Sequence, residues 1–271
     1  MSVLDRDGPL LLAVAGHDPS YRFEDGRGDG AGVDADREAA GHLGLGCVSV
    51  VTAWTEQAAG RVTDLGAVRP EVWLAEAVGL VRELRAGLGA LKLGLLPGAD
   101  AVRAARDLVR EARRLVPRLP VVVDPVLAAS GGEVFLDLEG RRVLLEELCP
   151  EGVVLTPNRP EAADLTGLDP DATPRDLARA LWPRLAGGTA RTAALSGLVL
   201  KGGHGREDPV RDLVVDGSGT PHLHEHPRKV GASLHGSGCR HASAVAAGLA
   251  LGRDLPTAAR DAGTWLATLV H

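Results

Sequence analysis

Val121-Val122-Val123-Asp124-Pro125 is the stretch whose reading decides the fold. An unbroken run of valine is what a strand buried on both faces requires, and Asp-Pro ends it with a carboxylate at its C-terminal end. The form returns in Val153-Val154-Leu155-Thr156-Pro157-Asn158 and again in Leu198-Val199-Leu200-Lys201-Gly202-Gly203-His204. Each time an apolar run hands over to a polar turn. Working outward, residues 10–16, 47–53 and 90–96 read as further strands, and helical spacing fills 31–45, 70–88, 99–115, about 141–147 and 174–186. Val210–Val215 and Pro221–His226, joined by Asp216-Gly217-Ser218-Gly219, read as a hairpin, and helices follow at about 237–252 and 256–270.

This alternation predicts an α/β fold with a mainly parallel central sheet and helices on both faces, a single domain over residues 1–271. Ligands of such sheets gather beyond the C-terminal strand ends. Asp124, Asn158, Lys201 and the loop Gly236–Cys239 should therefore meet on one edge.

Composition agrees. Hydrophobic residues at 45% and charged residues at 24% suit a globular chain, and aromatics at 3% leave a core of Leu, Val and Ala. A net charge of −6 with no basic block argues against nucleic acid as the main partner. The start, Met1 to Asp7, lacks the pattern of an export signal, and no apolar run approaches the roughly 20 residues of a membrane span. Cys47, Cys149 and Cys239 are widely spaced and odd in number, which predicts reduced thiols and a cytoplasmic location. Lysine occurs only at 92, 201 and 229.

The stretch His235-Gly236-Ser237-Gly238-Cys239 runs into the small-residue helix Arg240-His241-Ala242-Ser243-Ala244. A glycine-rich turn that opens a helix offers unpaired N–H groups and the positive end of the helix dipole, so it can hold a phosphate. The same field is expected to favour a thiolate at Cys239. Asp124 with Asn158 and Glu161 could hold a hydrated Mg²⁺ near nucleotide phosphates, because Mg²⁺ prefers oxygen ligands and keeps several waters. Taken singly, Asp-Pro is often a turn, Asn-x-x-Glu a helix cap and Lys-Gly-Gly a bend. Together at successive strand ends they suit phosphoryl transfer, which needs positioning and charge neutralisation above all.

The chain resembles the hydroxymethylpyrimidine kinase/phosphomethylpyrimidine kinase family of thiamine biosynthesis, within the ribokinase-like superfamily. The resemblance runs nearly end to end, through Ala15-Gly16-His17-Asp18-Pro19-Ser20, Gly30-Ala31-Gly32-Val33-Asp34-Ala35-Asp36, Val50-Val51-Thr52-Ala53 and Val123-Asp124-Pro125-Val126. It continues in Leu155-Thr156-Pro157-Asn158-Arg159-Pro160-Glu161-Ala162, Lys201-Gly202-Gly203-His204 and His235-Gly236-Ser237-Gly238-Cys239. It implies a ribokinase-like three-layer α/β/α sandwich, a homodimer, and ATP- and Mg²⁺-dependent transfer of the γ-phosphate to a primary hydroxyl and then to the resulting monophosphate. By resemblance, Gly236, Ser237, Gly238 and Cys239 form the anion hole, with Cys239 facing the substrate hydroxyl as its general base. Asp36 and Gln57 would contact the pyrimidine, and Gly16, Leu95 and Val126 would line its pocket. Asp124, Asn158, Glu161 and Lys201 would serve the nucleotide phosphates, Asp124 and Glu161 also the metal. The superfamily more often carries an acid at the position of Cys239, which points to the pyrimidine/pyridoxal branch.

Departures are specific. After Asp124-Pro125-Val126 the family usually has Met-Val-Ala-Lys-Ser-Gly-Asp, whereas this chain has Leu127-Ala128-Ala129-Ser130-Gly131-Gly132-Glu133 and so lacks the lysine. Cys239 is followed by Arg240-His241 in place of Thr-Leu, Asp34 replaces the usual Gln, and an insertion carrying Glu24, Asp25, Arg27 and Asp29 follows Ser20. Two accounts fit. Either Arg240, Lys229 or Arg27 replaces the missing charge and the kinase remains, or the fold serves as a ligand-binding or regulatory protein. A pyridoxal-type kinase is the alternative enzyme.

Overall fold

The computed structural model describes residues 8–18, 30–58, 61–129, 132–187, 195–203, 208–228 and 234–269, without the side chains of 57–58 and 61–63. Residues 21–29 of the insertion at 21–30, with Arg27, and Lys229 lie outside the described residues.

The sheet is built on six parallel strands: β1 (Leu10–Asp18), β3 (Gly46–Ala58), β5 (Leu88–Leu93), β6 (Val121–Val123), β7 (Val154–Leu155) and β8 (Gly197–Leu200). Antiparallel strands finish it: β2 (Ala31–Gly32), β4 (Arg61–Ala67), β9 (Val210–Val215) and β10 (Pro221–His226). The order across the sheet is β10-β9-β8-β7-β6-β5-β1-β3-β4, with β2 paired to β1. Side-chain alternation divides the core. Leu10, Leu12, Leu91, Leu93, Val121 and Val123 face one helical layer, while Leu11, Ala90, Val122 and Val154 face the other.

The first layer holds α2 (Pro70–Leu84), α3 (Gly98–Leu115), α4 (Leu138–Val143), α5 (Arg159–Thr166) and α6 (Pro174–Ala186). The second holds α1 (Val33–His42), α7 (Ser237–Ala250) and α8 (Leu255–Leu269). The expected three-layer α/β/α sandwich is the observed one. Alanine makes the second layer thin: Ala242, Ala244, Ala246 and Ala247 of α7 are all buried, which seats this helix close against the sheet. The helix expected near 141–147 is shorter; α4 gives way to a π turn at Leu144–Leu148 and a 3₁₀ turn at Cys149–Glu151. The strands β2 and β4 and the helix α5 complete the elements that the pattern of apolar runs leaves out.

Candidate active site

The C-terminal ends of β6, β7 and β8 are adjacent, and this places the polar residues that follow them side by side. The Asp124 N–H donates to Leu93 O at 2.9 Å, and the Lys201 N–H donates to Pro157 O at 2.9 Å, so both residues extend the strand ladder by one step. Their side chains then meet: Lys201 Nζ donates to Asp124 Oδ1 at 2.7 Å, and Thr156 Oγ1 reaches the same oxygen at 3.4 Å. Burial opposes ionisation of Asp124, but Lys201 and Lys92 outweigh it and hold the carboxyl below its usual range. Burial likewise opposes the charge on Lys201, and Asp124 and Glu161 restore it.

Asn158 and Glu161 form a capping box at the start of α5. Asn158 Oδ1 accepts the Glu161 N–H at 2.8 Å, and Glu161 Oε2 accepts the Asn158 N–H at 2.7 Å. The pair caps the helix and also lines the cleft. Burial pushes the Glu161 carboxyl up to about 7; Lys201 opposes the rise, and Asp124 adds to it.

Beside this pair, Gly236 begins α7 at φ 70°, a left-handed conformation that glycine adopts freely. A Cβ at Gly236 would also lie 2.9 Å from Arg240 Nη1. The Ser237 N–H is taken by Leu234 O at 3.2 Å, and the first-turn amides of Gly238 and Cys239 lack an intrahelical acceptor. This turn backs onto the ion pair: a Cβ at Gly238 would stand 3.3 Å from Lys201 Nζ and 3.5 Å from Asp124 Oδ2. Cys239 is partly exposed, and the Gly32 N–H points to its sulfur.

The expected thiolate is corrected here. Burial pushes the Cys239 thiol up, Lys92 opposes this, and Asp124 and Asp36 add to it. In the unliganded cleft, desolvation and two neighbouring carboxylates outweigh the helix start, so the resting group is the thiol.

Gly16, Leu95 and Val126 line the same cleft of about 750 Å³, as do Asp124, Asn158, Glu161, Lys201 and Gly236 to Cys239. Gly16 is tightly placed, since a Cβ there would lie 2.7 Å from Leu95 Cδ2. Asp36 is elsewhere. It is fully buried, accepting from Lys92 Nζ at 2.7 Å and from Ser243 Oγ at 2.7 Å. Asp36 is thus held by a buried lysine and a buried serine and is not among the residues that line the cleft, where it was expected. Gln57 lies in β3, and its side chain is outside the described residues.

Arg240 is also placed differently from the expectation of a phosphate ligand. It is 1% exposed, donating from Nε to Glu38 Oε2 at 2.7 Å and from Nη1 to His235 O at 2.6 Å. Its guanidinium braces the loop against α1. The missing lysine leaves Leu127, Ala128 and Ala129 as an apolar stretch of cleft wall.

Several residues were not singled out from sequence. Asp18 is 2% exposed at the end of β1, lines the cleft and lies 3.5 Å from His235 Nε2. Lys92 is wholly buried between Leu91 and Leu93, and Asp36, Cys239 and Asp124 hold its charge against the cost of burial. A lysine inside an apolar strand was the available signal. Asp212 and His226 also line the cleft beside Lys201, as does His241, which the sequence marks only as a departure from the usual Leu. No sequence spacing joins them, because their meeting depends on the pairing of β9 with β10.

A helix opened by a glycine turn, its first turn set against a strand-end aspartate and lysine in a cleft above a mainly parallel sheet, is the arrangement of a ribokinase-like phosphotransferase. The likeness to solved structures is extensive. Phosphomethylpyrimidine kinase from Clostridium difficile 630 superposes with a TM-score of 0.73 at 23% identity, covering 96% of this chain and 99% of that one. An ADP complex of Bacillus subtilis pyridoxal kinase gives a TM-score of 0.77 at 25% identity, covering 94% of this chain and 89% of that one. The sequence profile described as phosphomethylpyrimidine kinase matches residues 26–271. The hydroxymethylpyrimidine/phosphomethylpyrimidine kinase of Streptomyces coelicolor is 37% identical over 254 residues, 94% of this chain and 86% of the relative. The chain belongs to the hydroxymethylpyrimidine/phosphomethylpyrimidine kinase family of thiamine biosynthesis. No helix among the described residues is long and apolar enough to cross a membrane.

Proposed function

We propose that this chain, as one kinase domain over residues 1–271, transfers the γ-phosphoryl group of ATP to the primary hydroxyl of hydroxymethylpyrimidine. The monophosphate is its slower second acceptor. The observation that carries this reading is the close approach of Gly238 in the first turn of α7 to the Lys201–Asp124 pair, with Cys239 on the same turn.

In this reading the Gly238 and Cys239 amides and Lys201 hold phosphate oxygens where negative charge builds up. Gly16, Leu95 and Val126 seat the ring, so the hydroxyl lies toward Cys239. The hydroxyl oxygen forms its bond to the γ-phosphorus as the bond to ADP breaks, and the hydroxyl proton passes to the Cys239 sulfur. A bound phosphate donor makes the site more anionic, so Lys92 and Lys201 are what keep a thiolate accessible.

The donor set suits a hydrated Mg²⁺. Among the described residues no three acidic, histidine or cysteine side chains form a direct cage, and Mg²⁺ is commonly held by one or two carboxylates while keeping its waters. Asp124 and Glu161 both line the cleft and would hold it. The ion would neutralise charge between donor phosphates.

A pyridoxal-type kinase is the second reading, favoured by the structural likeness to the Bacillus subtilis pyridoxal kinase and by an acceptor wall of Gly16, Leu95 and Val126 that contains no charged group. A homodimer in the cytoplasm accords with either. Competition between hydroxymethylpyrimidine and pyridoxal for limiting enzyme, with both phosphorylated products measured, tests the assignment. A higher kcat/KM for the pyrimidine supports it, and a preference for pyridoxal would replace it with the second reading.

A further inference from the structure

Arg240 follows Cys239 and has no part in the reaction above, yet it is 1% exposed and directs its donors at the anion turn. Its Nη1 donates to His235 O at 2.6 Å, and its N–H donates to Gly236 O at 3.0 Å. One residue thus holds both carbonyls at the head of α7. On its other side, Nε donates to Glu38 Oε2 of α1 at 2.7 Å. The Glu38 side chain is 39% exposed, so the pair runs from the protein surface to the turn.

The turn needs such a hold. Gly236 stands at φ 70°, and glycine takes positive and negative φ about as readily, so its own dihedrals do not fix the 235–236 peptide. In a trans peptide the carbonyl and the N–H point in opposite directions. With His235 O bound to the guanidinium, the Gly236 N–H faces the other way. Gly236 to Cys239 line the cleft and Arg240 does not, so a flipped peptide would turn its carbonyl away from Arg240 and set its negative end against an incoming phosphate.

The other anchor reaches the acceptor side. The helix α1 starts directly after β2, whose Ala31 and Gly32 line the cleft. A Cβ at Gly236 would lie 3.2 Å from Ala31 Cα, so the turn packs on β2 itself. A planar guanidinium meets two acceptors in fixed directions, which the single ammonium of lysine does not.

We propose that Arg240 is a positioning residue: by bridging Glu38 and the His235 carbonyl, it sets the turn Gly236–Cys239 to receive phosphate and ties that turn to the β2–α1 corner. That the turn receives phosphate rests on the kinase reading above. The brace belongs to this chain's own departures, since the family usually carries Thr where Arg240 stands.

The test compares the wild type with Glu38→Ala, Arg240→Lys, Arg240→Thr and the double variant Glu38→Ala/Arg240→Thr. For each, kcat and both KM values are measured with ATP and hydroxymethylpyrimidine, and hydrogen exchange is followed in peptides spanning 234–240. Glu38→Ala alters an exposed side chain, so it keeps the test alive if an Arg240 variant fails to fold. Arg240→Lys and Arg240→Thr should lower kcat about tenfold or more, and Glu38→Ala about threefold or more. Both KM values should stay within about twofold, because a displaced turn loses stabilisation realised in the transition state. Adding Glu38→Ala to Arg240→Thr should cost nothing further, and exchange at 234–240 should speed up by a larger factor than in β5 and β6. Unchanged kcat in the single variants would overturn the proposal, as would additive losses in the double variant. Equal acceleration of exchange in the turn and in β5 and β6 would also overturn it, as a general loss of stability. A folded wild type without turnover would remove the kinase reading, and the exchange at 234–240 would then decide the brace by itself.

Discussion

Lys201 Nζ stands 2.7 Å from Asp124 Oδ1, with side chains only 12% and 3% exposed, at the ends of strands separated by β7. A buried pair of this kind adds little net stability, but removing one partner strands the other charge. Lys201→Met should therefore cost about 3 kcal/mol in denaturant unfolding and lower kcat at least ~100-fold, while Lys201→Met with Asp124→Asn should recover stability and not activity. A single variant of wild-type stability would show that Lys92 alone is enough to hold the Asp124 charge.

The thiol of Cys239 is pushed up by burial, so little thiolate is present at neutral pH. If the sulfur takes the hydroxyl proton, kcat/KM of the wild type should climb as pH rises from neutral, following the thiolate fraction. Cys239→Ala should lower turnover at least ~100-fold and flatten that climb. Near-normal turnover in the alanine variant would exclude the role.

Glu161 gives a stability signature of the opposite sign to a salt-bridged carboxylate. Its folded value of about 7 lies above the ordinary 4.5, so its contribution is complete below pH 4.5 and is lost as pH rises through about 7. Across that window the unliganded wild type should lose about 2 kcal/mol relative to Glu161→Gln, allowing for partial exposure. Thermal unfolding of both proteins at pH 4.5, 6 and 7.5 measures the difference. Parallel curves would show that Glu161 ionises normally.

Asp124, Asn158 and Lys201 were legible in the sequence because each ends a strand whose valine and leucine run announces burial, and parallel strands deliver their ends to one edge. Gly236 to Cys239 was legible because two glycines before an alanine-rich run can do little but open a helix closely. What remained hidden depended on distant pairing. Asp36 reads as a pocket residue until Lys92, 56 positions later, is seen to bury it. The strand β4 carries Arg61 and Asp64 at the sheet edge, where no apolar run is needed. The thiolate expectation failed because the helix-start field is visible in sequence, whereas burial and the nearby Asp124 and Asp36 are not.

The apolar wall Leu127-Ala128-Ala129 has a direct consequence for the acceptor. A monophosphate brings a dianion into a cleft without the lysine usual at that wall, and Arg240 is committed to Glu38 and the His235 carbonyl. The KM for the monophosphate should exceed that for the free alcohol by about tenfold or more, roughly the value of one lost charge-assisted contact. Equal constants for the two acceptors would show that another cation takes the phosphate.

The central claim is phosphoryl transfer to the pyrimidine alcohol at the Cys239 turn. Incubation of the purified protein with ATP, Mg²⁺ and hydroxymethylpyrimidine, following ADP and the monophosphate by mass spectrometry, measures it most directly. The account predicts ADP and hydroxymethylpyrimidine monophosphate in equal amounts, both dependent on the pyrimidine. A folded protein that forms neither would contradict it.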